Sequence, residues 1–126
     1  MTNKKTGAST LLKEEVIKGM QELKAQDIVC IDLRSIPGAV SDYFVICHGE
    51  SSTQVEAIAK SVYDVVLKDT GEKPWHQEGK QNAEWILLDY VDVVAHIFYK
   101  DAREFYNIEG LWGDAGIEKI EETVEN

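Results

Sequence analysis

Cysteine and histidine are scarce in this chain of 126 residues. Its two cysteines, Cys30 and Cys47, lie inside the apolar runs IVCID and YFVIC, where a small buried thiol is the usual occupant. A zinc site needs paired cysteines or histidines at short spacing, whereas His48, His76 and His96 are scattered singly. We therefore predict two buried thiols and no metal ion.

Long apolar segments are missing as well. The longest unbroken apolar run covers residues 43–47, far short of the roughly 20 residues that span a membrane. The N-terminal sequence MTNKKTGAST contains two lysines but is not followed by the apolar run of a signal peptide. We expect a cytoplasmic protein that has no membrane partner.

Basic residues are few, since 13 lysines and arginines stand against 23 aspartates and glutamates and the formal net charge is −10. Such a charge repels phosphate backbones, which disfavours sequence-specific binding to nucleic acid. It favours basic partners instead, and many basic cytoplasmic proteins themselves lie on nucleic acid.

The apolar residues that are present suffice for one domain. They make up 44% of the chain, and the length is typical of a single domain. We predict a flexible N-terminus over residues 1–8, a folded domain over 9–113 and an acidic, frayed tail over 114–126. From Ile117 onward four glutamates face a single lysine, so we expect the tail to be dispensable.

Hydrophobic periodicity predicts an α+β fold. The first predicted elements are a helix from Leu12 capped by Ser9 or Thr10, strands over 28–33 and 42–47, and a helix from the capping box Ser51-x-x-Gln54 to Gly71. A short edge strand at 74–76 and a hairpin of 85–88 and 93–99 follow. The last predicted helix starts at the box Asp101-x-x-Glu104, and its inner stripe is Phe105, Ile108 and Trp112. One helical crossover and one hairpin imply both parallel and antiparallel pairing. We therefore predict a single domain with a mixed sheet of about five strands and flanking helices.

One pattern could carry chemistry. A nucleotide-binding or nucleotidyl-transferring enzyme would use Gly49 and Ser51 at a strand-to-helix turn with Asp89 and Asp92 as metal ligands. However, Ser51 is explained as a helix cap, and acids on one strand face need even spacing. His96 lacks a partner at motif spacing, so we predict a hydrogen-bonded histidine within the sheet. No catalytic residue is predicted, and the enzyme remains the alternative hypothesis.

Aromatic residues crowd the last third of the chain beside Arg103. They are Trp85, Tyr90, Tyr99, Tyr106 and Trp112. Trp, Tyr and Arg dominate the residues that contribute most to binding at protein interfaces. We favour an interface role for Trp85, whereas core and interface roles stay equally open for Trp112.

Four ordered motifs resemble the ribosomal silencing factor family, also called the Iojap-like family. They are DYFVIC at 42–47 with GxSSxQV at 49–55, EG at 78–79 with AxWILLD at 83–89, DVVxHIF at 92–98, and RxxYxIExLW at 103–112. The resemblance covers about 12–112 and leaves the acidic tail outside. Val91 stands where the family often has a turn glycine, His48 where threonine is usual, and Ile108 replaces a leucine.

The resemblance implies a non-enzymatic translation factor without a cofactor. Such a factor binds the large ribosomal subunit through its ribosomal protein fourteen, sterically blocks joining of the small subunit and tends to form homodimers. The implied fold is nucleotidyltransferase-like without its catalytic site. The expected contacts to the ribosome or to the dimer partner are Trp85, Asp89, Tyr90, Asp92, Arg103, Tyr106, Glu109, Leu111 and Trp112.

Overall fold

The computed structural model describes residues 2–113 and 115–121 of the chain. The elements in these residues are α1 (Thr2–Glu22), β1 (Gln26–Asp32), β2 (Tyr43–Gly49), α2 (Ser52–Thr70), β3 (His76–Glu78), β4 (Trp85–Asp89), β5 (Val93–Tyr99), α3 (Lys100–Tyr106), a 3₁₀ helix (Ile108–Trp112) and β6 (Gly116–Lys119). Among them, no helix is both long and apolar enough to cross a membrane.

The strands form one mixed sheet in the order β3-β4-β5-β2-β1-β6. β2 and β5 are parallel neighbours, and every other adjacent pair is antiparallel. α2, which leaves the end of β2, begins where the Ser51 side chain accepts the Gln54 N–H and ends at Gly71, whose φ of 79° suits glycine. The predicted α+β fold is confirmed, with six strands in place of about five.

α1 and α2 cover one face of the sheet, here called the helical face. Alternate strand residues such as Val45 and Ala95 point into it and are fully buried. The two cysteines are free and buried on this side, as predicted, and burial raises the pKa of the Cys30 thiol to about 11.

The two helices approach each other closely at Gly19. A Cβ atom at this position would lie 2.7 Å from Cα of Val62, well inside van der Waals contact. Ser61 of α2 donates its hydroxyl to the Gly19 carbonyl at 2.7 Å. The absence of a side chain at Gly19 therefore sets the distance between α1 and α2.

The opposite face, here called the open face, is covered only in part. Ala102 of α3 and Ile108 of the 3₁₀ helix belong to a second buried cluster with Phe98. Half-buried aromatic side chains pack around this cluster, and they include those of Phe44 and Trp85.

The predicted N-terminal boundary is wrong. α1 begins at Thr2, ahead of the predicted boundary at residue 9, and Ser9 is buried within the helix rather than capping it. The segment before Leu12 holds no proline, and without one nothing in the sequence forces the helix to start at the first apolar residue.

The prediction of a frayed tail is wrong for residues 116–120. Gly116–Lys119 forms β6 against β1, with Cys30 opposite Glu118. The Ile120 N–H donates to the Ile28 carbonyl at 2.8 Å, and the Ile120 side chain packs against the core of the helical face. Backbone pairing to the free edge of β1 does not need apolar side chains, which explains why composition failed here. Residues 122–126 of the predicted tail lie outside the described residues.

The predicted last helix is divided into two. Asn107 adopts the left-handed conformation with φ of 45°, which ends α3 and starts the 3₁₀ helix. Phe105 is consequently 81% exposed rather than part of an inner stripe. The N-cap is Tyr99, without a side-chain hydrogen bond, in place of the predicted Asp101 box.

Candidate functional site

A cluster of six aromatic rings lies on the open face. The members of this aromatic cluster are Phe44 of β2, Trp85 of β4, His96 and Phe98 of β5, Tyr106 of α3 and Trp112 of the 3₁₀ helix. Three neighbouring strands place their members on the same face because side chains alternate along a strand, and Asn107 turns the chain so that the 3₁₀ helix returns over the sheet.

Trp85 contacts three other members of the aromatic cluster. Its ring stacks on Phe98 with centroids 4.9 Å apart and contacts Tyr106 at 4.8 Å. Its indole Nε1–H donates to His96 Nδ1 at 3.1 Å. Because the side chain is only half-buried despite these contacts, Trp85 presents a rigid aromatic surface at low entropic cost, as interface anchors do.

His96 is buried in the sheet and accepts the hydrogen bond from Trp85. It is 4% exposed, and burial lowers its pKa from the ordinary 6.5 to about 4. The predicted hydrogen-bonded histidine in the sheet is confirmed by its contact with Trp85. The ring is neutral at pH 7, so it stabilises the cluster by packing and hydrogen bonding rather than by charge.

Arg103 and Glu109 hold the 3₁₀ helix in place. Arg103 donates from Nε and Nη2 to the two carboxylate oxygens of Glu109, at 3.2 and 2.8 Å. Its Nη1 also lies 2.9 Å from Nδ1 of His48, whose pKa is lowered by burial and by the nearby guanidinium. The predicted interface residues Arg103 and Glu109 therefore bind each other and position Trp112.

The exposed apolar side chains of the candidate site lie in and beside the α3 to 3₁₀ segment. Tyr106 is 46% exposed and Leu111 is 75% exposed, and Trp112 contacts Phe44 edge to face at 5.8 Å. Phe105, which packs edge to face on Tyr106, adds a further ring that sequence reasoning placed in the core.

Asp89 and Asp92 belong to the β4–β5 turn. Asp89 Oδ1 accepts the Val91 N–H at 2.8 Å, and this turn holds Val91 at φ of 77°, in the left-handed region that favours glycine. Asp89 shares a strand face with Trp85, since the two residues are an even number apart on β4. Both aspartates are half-exposed and lie at the edge of the open face.

Tyr90 is the exception among the predicted site residues. It is 4% exposed and packs in the core of the helical face, on the side of the sheet opposite Trp85. Burial raises the pKa of its hydroxyl. The hypothesis that Tyr90 is an interface anchor is therefore wrong, because odd spacing from Trp85 directs its side chain toward α2.

Two members of the aromatic cluster were missed by the sequence reasoning. Phe44 and Phe98 were read only as parts of buried strands, although Phe44 and Trp85 are half-buried on the same face. Strand alternation carried the signal, because Phe44, Ile46 and His48 alternate with the helical-face residues Tyr43, Val45 and Cys47.

The residues of the alternative enzyme hypothesis are not brought together. Gly49 pairs with Tyr99 at one end of β5, whereas Asp89 pairs with Val94 near the other end. The distance along β5 from Val94 to Tyr99 is roughly 16 Å at about 3.3 Å per residue. Ser51 caps α2, and the part of the chain that the structure describes contains no group of three potential metal ligands.

The fold and the site thus define an α+β domain with an aromatic surface suited to docking a protein. The family model of the ribosomal silencing factor during starvation matches residues 6–126, and the chain belongs to this family. The match includes residues beyond Gly113, which corrects the expectation that the tail lies outside the family pattern.

Named relatives and solved structures agree with this assignment. A ribosomal silencing factor from Bacillus subtilis is 44% identical over 98 residues, which cover 78% of this chain and 81% of that protein. The chloroplastic Iojap protein of Zea mays is 35% identical over 78% of this chain and 42% of its own length. A crystal structure of a Chromobacterium violaceum protein superposes with a TM-score of 0.77 at 32% identity, covering 92% of both chains.

Proposed function

We propose that the protein represses translation by docking its open face on the large ribosomal subunit, through ribosomal protein fourteen, so that the small subunit cannot join. The observation that carries this proposal is the half-buried, stacked Trp85 at the centre of an aromatic cluster on the sheet face that α1 and α2 leave uncovered. Membership of the ribosomal silencing factor family supplies the ribosome as the partner.

The composition of the surface supports a protein partner. Exposed Tyr106 and Leu111 provide apolar contact area, and Asp89 and Asp92 provide negative charge beside it. A net charge of −10 attracts a basic ribosomal protein but repels the surrounding ribosomal RNA. Binding therefore depends on protein contacts, and the function requires neither a catalytic residue nor a cofactor.

A homodimer belongs to the same proposal. Ile117 of the edge strand β6 is 44% exposed, so apolar area is also present on an element that does not belong to the aromatic cluster. We assign the aromatic cluster to the ribosome and expect the dimer to use other surface. We expect the protein to act in the cytoplasm.

Co-sedimentation tests the docking. The protein is expected to pellet with isolated large subunits and not with small subunits, and added protein is expected to reduce formation of joined ribosomes in light scattering. Pelleting with neither subunit would contradict the proposal.

Calorimetry tests the alternative enzyme. ATP and GTP with Mg²⁺ are expected to give no binding tighter than about 100 μM, which corresponds to about −5.5 kcal/mol. Binding below that concentration would favour the nucleotide-dependent enzyme.

A further inference from the structure

The imidazole of His96 has one nitrogen with a partner and one without. Nδ1 lies 3.1 Å from Trp85 Nε1, whereas Nε2 is buried with no hydrogen-bond partner among the described residues. The ring is buried between aromatic neighbours, with Phe44 edge-on at 4.6 Å.

The Trp85 contact fixes the tautomer of His96. An indole N–H can only donate, so Nδ1 must carry a lone pair, and a neutral imidazole then carries its proton on Nε2. The depressed pKa of His96 keeps the ring neutral at physiological pH. Nε2–H is therefore a buried donor without an acceptor in the described protein.

Such a donor is unfavourable in the free protein. A buried polar group without a partner loses its hydrogen bonds to water and receives none in return. The hydrogen bond from Trp85 gives Nδ1 a partner but leaves Nε2 without one. A phenylalanine at this position would pack against Phe44 and Phe98 without burying an unpaired polar group. The unused donor points to a partner outside the described residues.

The position of Nε2 indicates where that partner comes from. His96 projects from β5 onto the open face, and Nε2 is farther from the backbone than Nδ1 is in any imidazole. Phe44 contacts the imidazole edge-on at 4.6 Å and is itself contacted by Trp112. Both of these rings are half-buried, so the cover over His96 on this face is partly exposed.

We propose that His96 Nε2–H is a specificity-determining hydrogen-bond donor that an acceptor oxygen of the docked ribosomal protein reaches between the rings of the aromatic cluster. This inference rests on the proposed function. The donor would therefore discriminate between binding partners. A partner that offers an oxygen at this point satisfies the Nε2–H donor, whereas a purely apolar partner leaves it unpaired and binds more weakly.

Two amide variants separate the nitrogens. In H96N the side-chain oxygen takes the place of Nδ1 and keeps the bond from Trp85, but no group reaches the place of Nε2. In H96Q the amide nitrogen reaches the place of Nε2. We expect H96N to bind large subunits about tenfold more weakly than wild type, and H96Q to bind within about threefold of wild type, because one satisfied hydrogen bond is worth about a factor of ten. Equal binding by H96N and wild type would overturn the inference.

Nitrogen NMR on the unmodified chain provides a test that does not depend on folding of a variant. Free protein labelled with ¹⁵N is expected to show His96 protonated on Nε2, and adding unlabelled ribosomal protein fourteen is expected to shift the Nε2–H proton downfield and slow its exchange. Protonation on Nδ1, or an unchanged Nε2–H signal in the saturated complex, would overturn the inference.

The proposed function and this inference fail in different ways. If wild-type protein binds neither large subunits nor ribosomal protein fourteen, the proposed function is wrong. If wild type binds and W85A does not, but H96N binds as wild type does, docking stands and the role of His96 is wrong.

Discussion

Arg103 and Glu109 form a bidentate ion pair across the turn between α3 and the 3₁₀ helix, with N–O distances of 3.2 and 2.8 Å. The guanidinium side chain is 11% exposed, and it reaches His48 of β2 as well. One arginine thus ties α3, the 3₁₀ helix and the central sheet together. The docking surface is positioned by this bond, because Leu111 and Trp112 lie on the segment that it holds.

Breaking this ion pair is expected to destabilise the protein. E109A leaves a largely buried guanidinium without its main partner, so the free energy of unfolding should fall by about 2–4 kcal/mol, measured by urea denaturation. The exposed pair Lys60–Asp64 provides the control: D64A should change stability by less than about 0.5 kcal/mol. Similar losses in both variants would contradict a positioning role for Glu109.

Trp85 is expected to matter more for association than for folding. W85A removes an anchor of the aromatic cluster, so binding to large subunits should weaken by about 2 kcal/mol or more. The cost in folding stability should stay below the roughly 3–5 kcal/mol of a fully buried tryptophan, because the side chain is only half-buried.

Trp75 provides the matched control for Trp85. It is 78% exposed and its ring contact is with His76, outside the aromatic cluster. W75A should leave both the melting temperature and co-sedimentation unchanged. An early-melting W85A that still binds large subunits at low temperature would show that Trp85 is a core residue.

Regular strand patterns explain what the sequence could predict and what it could not. The apolar runs predicted the β4–β5 hairpin correctly. Side chains alternate between the two faces of a strand, and this alternation should have assigned Tyr90 to the helical face with Ile86 and Leu88. β6 could not be found this way, because all four of its residues are exposed and only its backbone pairs with β1. The break at Asn107 was hidden because asparagine is compatible with helix and with the left-handed turn alike.

Gly19 is expected to be intolerant of any side chain. G19A places a methyl group 2.7 Å from the backbone of Val62, so α1 and α2 must separate, and stability should fall by about 1–3 kcal/mol despite the better helix propensity of alanine. Gly7 lies in the same helix, and a Cβ atom there would meet no atom within 4 Å other than those of its chain neighbours and of the helix's own backbone, so G7A should raise stability by up to about 1 kcal/mol. Thermal melts of the two variants moving in the same direction would contradict this account of the helix contact.

Residues beyond Gly113 are expected to contribute to stability. I120A removes a side chain that packs against the core of the helical face, and I117A removes one that is 44% exposed on β6. I120A should therefore lower the melting temperature more than I117A does. Deletion of everything after Gly113 should lower it further, because β1 then loses its pairing with β6. A deletion variant that melts like the full chain would restore the view of this segment as dispensable.

Acid is expected to destabilise the protein through His96, starting near pH 6.5. Burial lowers the pKa of His96 from 6.5 to about 4, so between these values the unfolded chain binds a proton that the folded chain does not. Stability therefore falls as the pH falls from about 6.5 to about 4 and levels off below that range for this group. The loss should reach about 3.5 kcal/mol below that range, since each unit of pKa shift corresponds to about 1.4 kcal/mol. His48, whose pKa is also lowered, adds to the loss in the same direction.

Urea denaturation at pH 7 and pH 4.5 measures the difference in the free energy of unfolding. The variant H96F keeps the ring volume but cannot bind a proton, so it should lose less stability over this interval than wild type. An equal loss in H96F and wild type would show that other groups carry the acid sensitivity.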